Sequence, residues 1–134
     1  MRGGVRSINL RGMKTRPGPR VAAVTLLTAA LLTLSAHADF DDAVSAYKKG
    51  DYATAARELA PLAEQGNVEA QFYMAYMYES GRGVDRDEAK ATELYGLAAE
   101  QGHARAQFNL GLAYELGRGV TIDVEKALQW YLES

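Results

Sequence analysis

Residues 63–95 read AEQGNVEAQFYMAYMYESGRGVDRDEAKATELY, and residues 99–131 read AEQGHARAQFNLGLAYELGRGVTIDVEKALQWY. The second stretch is the first displaced by 36 positions: Ala63-Glu64-Gln65-Gly66 returns as Ala99-Glu100-Gln101-Gly102, Ala70-Gln71-Phe72 as Ala106-Gln107-Phe108, and Gly81-Arg82-Gly83-Val84 as Gly117-Arg118-Gly119-Val120. Aligned without gaps, residues 51–86 and 87–122 share 16 identities in 36, and the register continues through Asp123, Lys126, Ala127 and Tyr131. Self-similarity at this period is the signature of a repeat architecture, in which each unit buries its apolar face against its neighbours.

Two helices fit each unit. Gln71, Met74, Ala75 and Tyr78 fall at i, i+3, i+4 and i+7, as do Gln107, Leu110, Gly111 and Tyr114, which places each set on one helix face. Ala91, Leu94, Tyr95 and Ala98 form a second such face, echoed by Ala127, Trp130 and Tyr131. Gly66 and Gly102 stop one helix and the Gly-Arg-Gly segments stop the other. Asp51, Asp85 or Asp87, and Asp123 stand where carboxylates accept the free N–H groups of a new helix. The pattern predicts helices near 40–49, 51–65, 67–80, 86–101, 103–116 and 122–133, with no strand. Short connections make neighbours antiparallel, giving an all-α solenoid, an α-α superhelix of stacked hairpins. Ala75 and Gly111 leave room for a partner helix to approach.

The 134-residue chain divides by charge. Residues 1–38 hold six basic residues and no acidic one, and Val21–Leu34 is apolar apart from three Thr. Ala36-His37-Ala38 follows, so a basic lead, an apolar run and small residues spaced by one predict a signal peptide cleaved after Ala38. Met13 offers an alternative start with a shorter basic lead. The apolar run is short for a spanning helix, which predicts export by the general secretory route to the periplasm or outside, with no stable membrane anchor after cleavage. Residues 39–134 carry nine basic and all 17 acidic residues, a net charge of −8. That balance argues against nucleic-acid binding, which needs a cationic surface. With no cysteine, disulfides, thiol nucleophiles and thiolate metal sites are excluded.

The segments Ala63–Tyr95 and Ala99–Tyr131 resemble Sel1-like repeats, a branch of the tetratricopeptide-type helical solenoids. AYKKGDYATAARELAPLAEQG, residues 46–66, resembles the end of a degenerate first unit. The units then run 39–66 (partial), 67–102 and 103–134. The resemblance implies a non-catalytic adaptor, exported from a bacterium, that holds another protein or peptide in a groove, with roles in envelope regulation or host contact. In tetratricopeptide-like geometry the first helix of each hairpin lines that groove. The candidate protein-binding residues are Glu69, Phe72, Tyr73, Tyr76 and Glu79 in one unit and Arg105, Asn109, Leu112 and Glu115 in the next, with Phe108 beside them. Aromatic and Arg side chains are the usual anchors of an interface. Phe72 and Phe108, identical at one repeat position, also fit inter-repeat core.

Other chemistry is weakly marked. Ser45-Ala46-Tyr47-Lys48 matches the Ser-x-x-Lys of penicillin-recognising enzymes, without their other motifs; an envelope hydrolase using Ser45 and Lys48 is the enzymatic alternative. Gly81-Arg82-Gly83 lacks the Gly-Lys-Ser/Thr of a phosphate loop. His103 is the lone histidine after residue 38 and reads as a turn or capping residue; Asp85, Asp87 and Glu88 read as helix-start acids. No catalytic residue, metal site or cofactor is expected. Gln71 and Gln107 are expected to satisfy buried backbone groups, and Trp130 to join the last hairpin's core. An open edge near Leu128, Trp130 and Tyr131 suggests self-association as a further alternative.

Overall fold

The computed structural model describes residues 39–134; the expected signal peptide and the alternative start at Met13 lie outside them. Six helices follow one another: α1 over residues 39–48, α2 Tyr52–Glu64, α3 Val68–Ser80, α4 Glu88–Glu100, α5 Ala104–Leu116 and α6 Val124–Glu133. The described residues contain no strand, and from α2 onward each helix packs on the next.

The helix ends lie one to two residues inside most of the limits read from the sequence, because the residues taken as first turns are caps. Asp51, Asn67, Asp87, His103 and Asp123 each accept a hydrogen bond from the backbone N–H three residues on, satisfying a donor the helix cannot. His103 does so through Nδ1, which takes the Ala106 N–H at 3.1 Å. Asp87 caps α4 while Asp85 does not. At the far ends, the Gly66 N–H donates to Ala63 O and the Asn67 N–H to Leu62 O; Gly102 and His103 repeat the pattern on Ala99 and Ala98. This paired closure uses up carbonyls that would otherwise be orphaned.

The longer α3–α4 and α5–α6 loops are pinned at both ends. The Arg82 N–H donates to Met77 O and the Asp87 N–H to Tyr78 O, with Arg118 to Ala113 and Asp123 to Tyr114 as counterparts. Between these anchors, Gly83 (φ +73°) lies so close to the first turn of α2 that a Cβ there would sit 2.2 Å from Tyr52 O. A Cβ added at Gly119 (φ +66°), one repeat on, would likewise sit 2.3 Å from Glu88 O. The second glycine of each Gly-Arg-Gly is therefore the point where one repeat's loop rests on the preceding repeat's helix.

Two buried clusters share α3. Ala43, Ala55, Leu59, Leu62, Ala70, Met74 and Met77 form the first, between α1, α2 and α3. Phe72, Ala75, Ala91, Tyr95, Ala98, Ala106 and Leu110 form the second, between α3, α4 and α5. Burial on two sides explains why α3 carries few polar residues. The alanines keep helix axes close, and at Gly111 a Cβ would come within 2.8 Å of the Tyr131 ring.

Gln71 and Gln107 act as expected. Each buried side chain donates Nε2 to a carbonyl near the end of the preceding helix, Ala63 O and Ala99 O respectively, both at 3.2 Å. Trp130 is half-buried against the second cluster. On α6 only Ala127 is buried, while Ile122, Val124, Leu128 and Leu132 are exposed.

Candidate functional site

A groove runs over α1, α3 and α5, the first helices of successive hairpins. One part, about 280 Å³, is lined by Tyr47, Phe72, Tyr73, Tyr76 and Arg105. The adjoining part, about 420 Å³, is lined by Phe72, Tyr76, Ala104, Arg105, Phe108, Asn109 and Ser134. Phe72 and Tyr76 stand one turn apart on α3 and belong to both, which makes the groove continuous.

Its floor is built from the repeat. Phe72 is 5% exposed: the His103 ring stacks on it at 4.5 Å between centroids, and the Arg105 guanidinium lies over its ring at 4.7 Å. His103 is held in turn, with Nδ1 on the Ala106 N–H and Nε2 3.3 Å from Glu69 Oε1. The N-cap of α5 thus also packs the groove floor. On the α1 side, Tyr47 meets Tyr52 and Tyr73 edge-on at 5.2 and 5.4 Å. Arg82, from the α3–α4 loop, lies over Tyr52 and Tyr76 at 5.3 and 6.0 Å. The neighbouring Tyr47 hydroxyl holds its pKa above the usual value.

Of the residues expected in the groove, the structure brings together Phe72, Tyr73, Tyr76, Arg105 and Asn109, with Phe108. Four others are placed differently. Glu69 is tied to His103 beside the floor. Glu79 is half-buried and accepts from Tyr95 Oη at 2.8 Å and from Arg118 Nη1 at 3.2 Å, joining α3 to α4 and to the α5–α6 loop of the next unit. Burial, reinforced by that carboxylate, pushes the Tyr95 phenol well above the usual tyrosine range. Glu115 repeats the bond one unit later with Tyr131 Oη, whose pKa this contact pushes up to about 12. Leu112 is half-buried and lines neither part. Phe108 is 51% exposed among the described residues. Phe72 is covered by His103 and Arg105 of the next unit, whereas Phe108 stands on α5, the last helix of its kind here, and touches Tyr131 at 5.4 Å.

Tyr47 was missed by the sequence reading, because α1 precedes the clear repeats. Arg82 was missed as well, although the register carries its explanation. Its counterpart Arg118 is held by Glu79, and the position 36 residues before Glu79 is Ala43. Arg82 therefore lacks that carboxylate and lies on tyrosines instead.

Ser45 and Lys48 lie on α1 and line neither part of the groove. Among the described residues no group of three or more His, Asp or Glu side chains is arranged to hold a metal ion, and no helix is long and apolar enough to cross a membrane.

The chain is similar to proteins of known crystal structure, among them the following two. One is a Sel1 repeat protein from Oxalobacter formigenes, 38% identical over 71% of this chain and 38% of that one, with a TM-score of 0.67. The other is a protective antigen present in uropathogenic Escherichia coli strains, displaying an SLR fold; it is 30% identical over 81% of this chain and 24% of its own, with a TM-score of 0.70. This chain therefore spans less than half the length of either protein. No curated protein matches it. The Sel1 repeat family matches residues 68–103 and 104–134, one residue later than the units drawn from the sequence. With the docked glycine loop, the Gln–carbonyl bond and the capped hairpins recurring in that register, the chain belongs to the Sel1 repeat family.

Proposed function

We propose that this chain is an exported, non-catalytic adaptor that captures an extended segment of another protein in the groove over α1, α3 and α5. The observation that carries the reading is a pre-formed concavity in which aromatic rings are fixed by the repeat while Tyr76 and Phe108 remain open to solvent, 39% and 51% exposed. A surface already ordered before binding loses less entropy on association, and aromatic and Arg side chains are the residues that most often dominate such contacts. Families built on this repeat serve generally as interaction scaffolds. Export is supported by the basic lead, apolar run and Ala-His-Ala of residues 1–38. That a similar protein is a protective antigen fits a place in the envelope or in host contact.

The test is capture from the native envelope. Tyr76→Ala together with Arg105→Ala is expected to reduce the amount of partner retained by the immobilised chain at least tenfold, while circular dichroism stays helical. Undiminished capture by the double variant rejects this groove. Recovery of only a second copy of the chain would instead favour self-association, for which the exposed Ile122, Val124, Leu128 and Leu132 around α6 are the supporting feature.

A further inference from the structure

We infer that the segment held in the groove is acidic: an extended peptide whose Asp or Glu side chains at alternate positions reach Arg105 and Arg82 along the stripe of Phe72 and Tyr76. This inference rests on the groove reading above and names the chemistry of its occupant.

Residues 39–134 carry nine Lys and Arg against 17 Asp and Glu. Arg57, Arg86, Arg118 and Lys126 each have a carboxylate oxygen within 4.0 Å. Among the described residues, Lys48, Lys49, Lys90, Arg82 and Arg105 have none; of these Arg105 lines the groove, and Arg82, outside its lining, stands over its Tyr76. Both guanidiniums instead lie over the aromatic residues of one stripe of α3, Arg105 over Phe72 and Arg82 over Tyr76. The nearby acids are already engaged, Glu69 with His103 and Glu79 with Tyr95 and Arg118. A guanidinium packed by its flat face on a ring keeps N–H donors at its edge, the geometry that receives a carboxylate through two parallel hydrogen bonds.

Spacing favours side-chain carboxylates over a single terminal one. Phe72 and Tyr76 are i and i+4 on a helix, roughly 5–6 Å apart at Cβ. Alternate residues of an extended chain are roughly 6.6 Å apart and point to the same side. Two acids at alternate positions of such a segment can thus follow the stripe with one charge toward each Arg. A basic segment would meet two uncompensated guanidiniums, a like-charge penalty that selects against it.

The probe is a short fluorescent peptide alternating Glu with Leu and Phe, blocked at both ends, titrated against the full chain by anisotropy. Binding is expected to weaken about tenfold for Arg105→Gln and about tenfold for Arg82→Gln, and to be unchanged for Arg57→Gln on α2. Replacing every Glu of the probe by Gln should remove most of the affinity, and raising the salt should weaken the Glu probe alone. A Gln probe left with a free C-terminal carboxylate separates the two sources of charge; its binding as well as the Glu probe would overturn the assignment to side chains. Equal binding of blocked Glu and Gln probes overturns the acidic assignment, as does indifference to both Arg variants. If Phe108→Ala still abolishes that charge-independent binding, the groove reading survives the loss. Failure of every probe overturns the acidic assignment too, and capture by the Tyr76, Arg105 double variant then decides the groove separately.

Discussion

Gly83→Ala is expected to lower the unfolding temperature far more than Gly50→Ala, although both place alanine at a left-handed position. Gly50 (φ +82°) has nothing within 4 Å of a new Cβ, so its substitution carries only the conformational cost, about 1–2 kcal/mol for an L residue. At Gly83 (φ +73°) the same Cβ would meet Tyr52 O at 2.2 Å, Tyr52 C at 2.6 Å and Met77 Cε at 3.0 Å. Two of those atoms are backbone in the first turn of α2 and cannot rotate away. The α3–α4 loop must retreat, and Met77, a fully buried side chain of the first cluster, sits directly beneath it. A total loss of about 3 kcal/mol or more is expected. For a folded region of this size, at about 4–8 °C per kcal/mol, that corresponds to roughly 12–24 °C or more, against roughly 4–16 °C for Gly50→Ala. Thermal unfolding followed by circular dichroism gives both values. Equal losses at the two positions would mean that the loop does not rest on α2.

Leu59→Ala should be comparably damaging for a different reason. Leu59 and Met77 are the largest side chains fully buried in the described fold, and Leu59 lies within the cluster shared by α1, α2 and α3. Truncation removes the transfer energy of the lost methyl groups and leaves a cavity that helices pinned at both ends close incompletely, about 2–5 kcal/mol together. Because a stack of repeats is stabilised unit by unit, hydrogen exchange should accelerate most in α1, α2 and α3. Leu97→Ala is the comparison: that side chain is 43% exposed, and an exposed substitution of this kind should stay within about 0.5 kcal/mol. A loss at Leu59 no larger than at Leu97 would contradict the placement of the core.

What could be read from the sequence follows from how local each signal is. A helix cap involves residues three apart, so Asp51 and Asp123 declare themselves and His103 reads as a turn or capping residue, whereas Asn67 was drawn inside its helix. The Gln71 and Gln107 bonds span eight residues and were legible because the register repeats them. Glu79 was not: its partners Tyr95 and Arg118 lie 16 and 39 residues away, and a helical wheel alone places its carboxylate toward the groove. Phe108 misleads in the opposite sense. Identity with Phe72 suggests the same burial, but burial at that position is supplied by the following unit, and identity at one site says nothing of what stands opposite. Tyr47 enters the groove from a helix outside the clear repeats, so no periodic signal marked it.

The claim on which the functional account depends is that partners are held over α1, α3 and α5 and not elsewhere on the stack. A photo-crosslinking amino acid placed at Phe108, on the groove, and in a second variant at Leu97, on α4 and outside it, tests this in the native envelope, since both side chains are exposed and tolerate replacement. A crosslinked partner from position 108 with none from position 97 is the expected result. Adducts from position 97 alone, or equally from both, would contradict it.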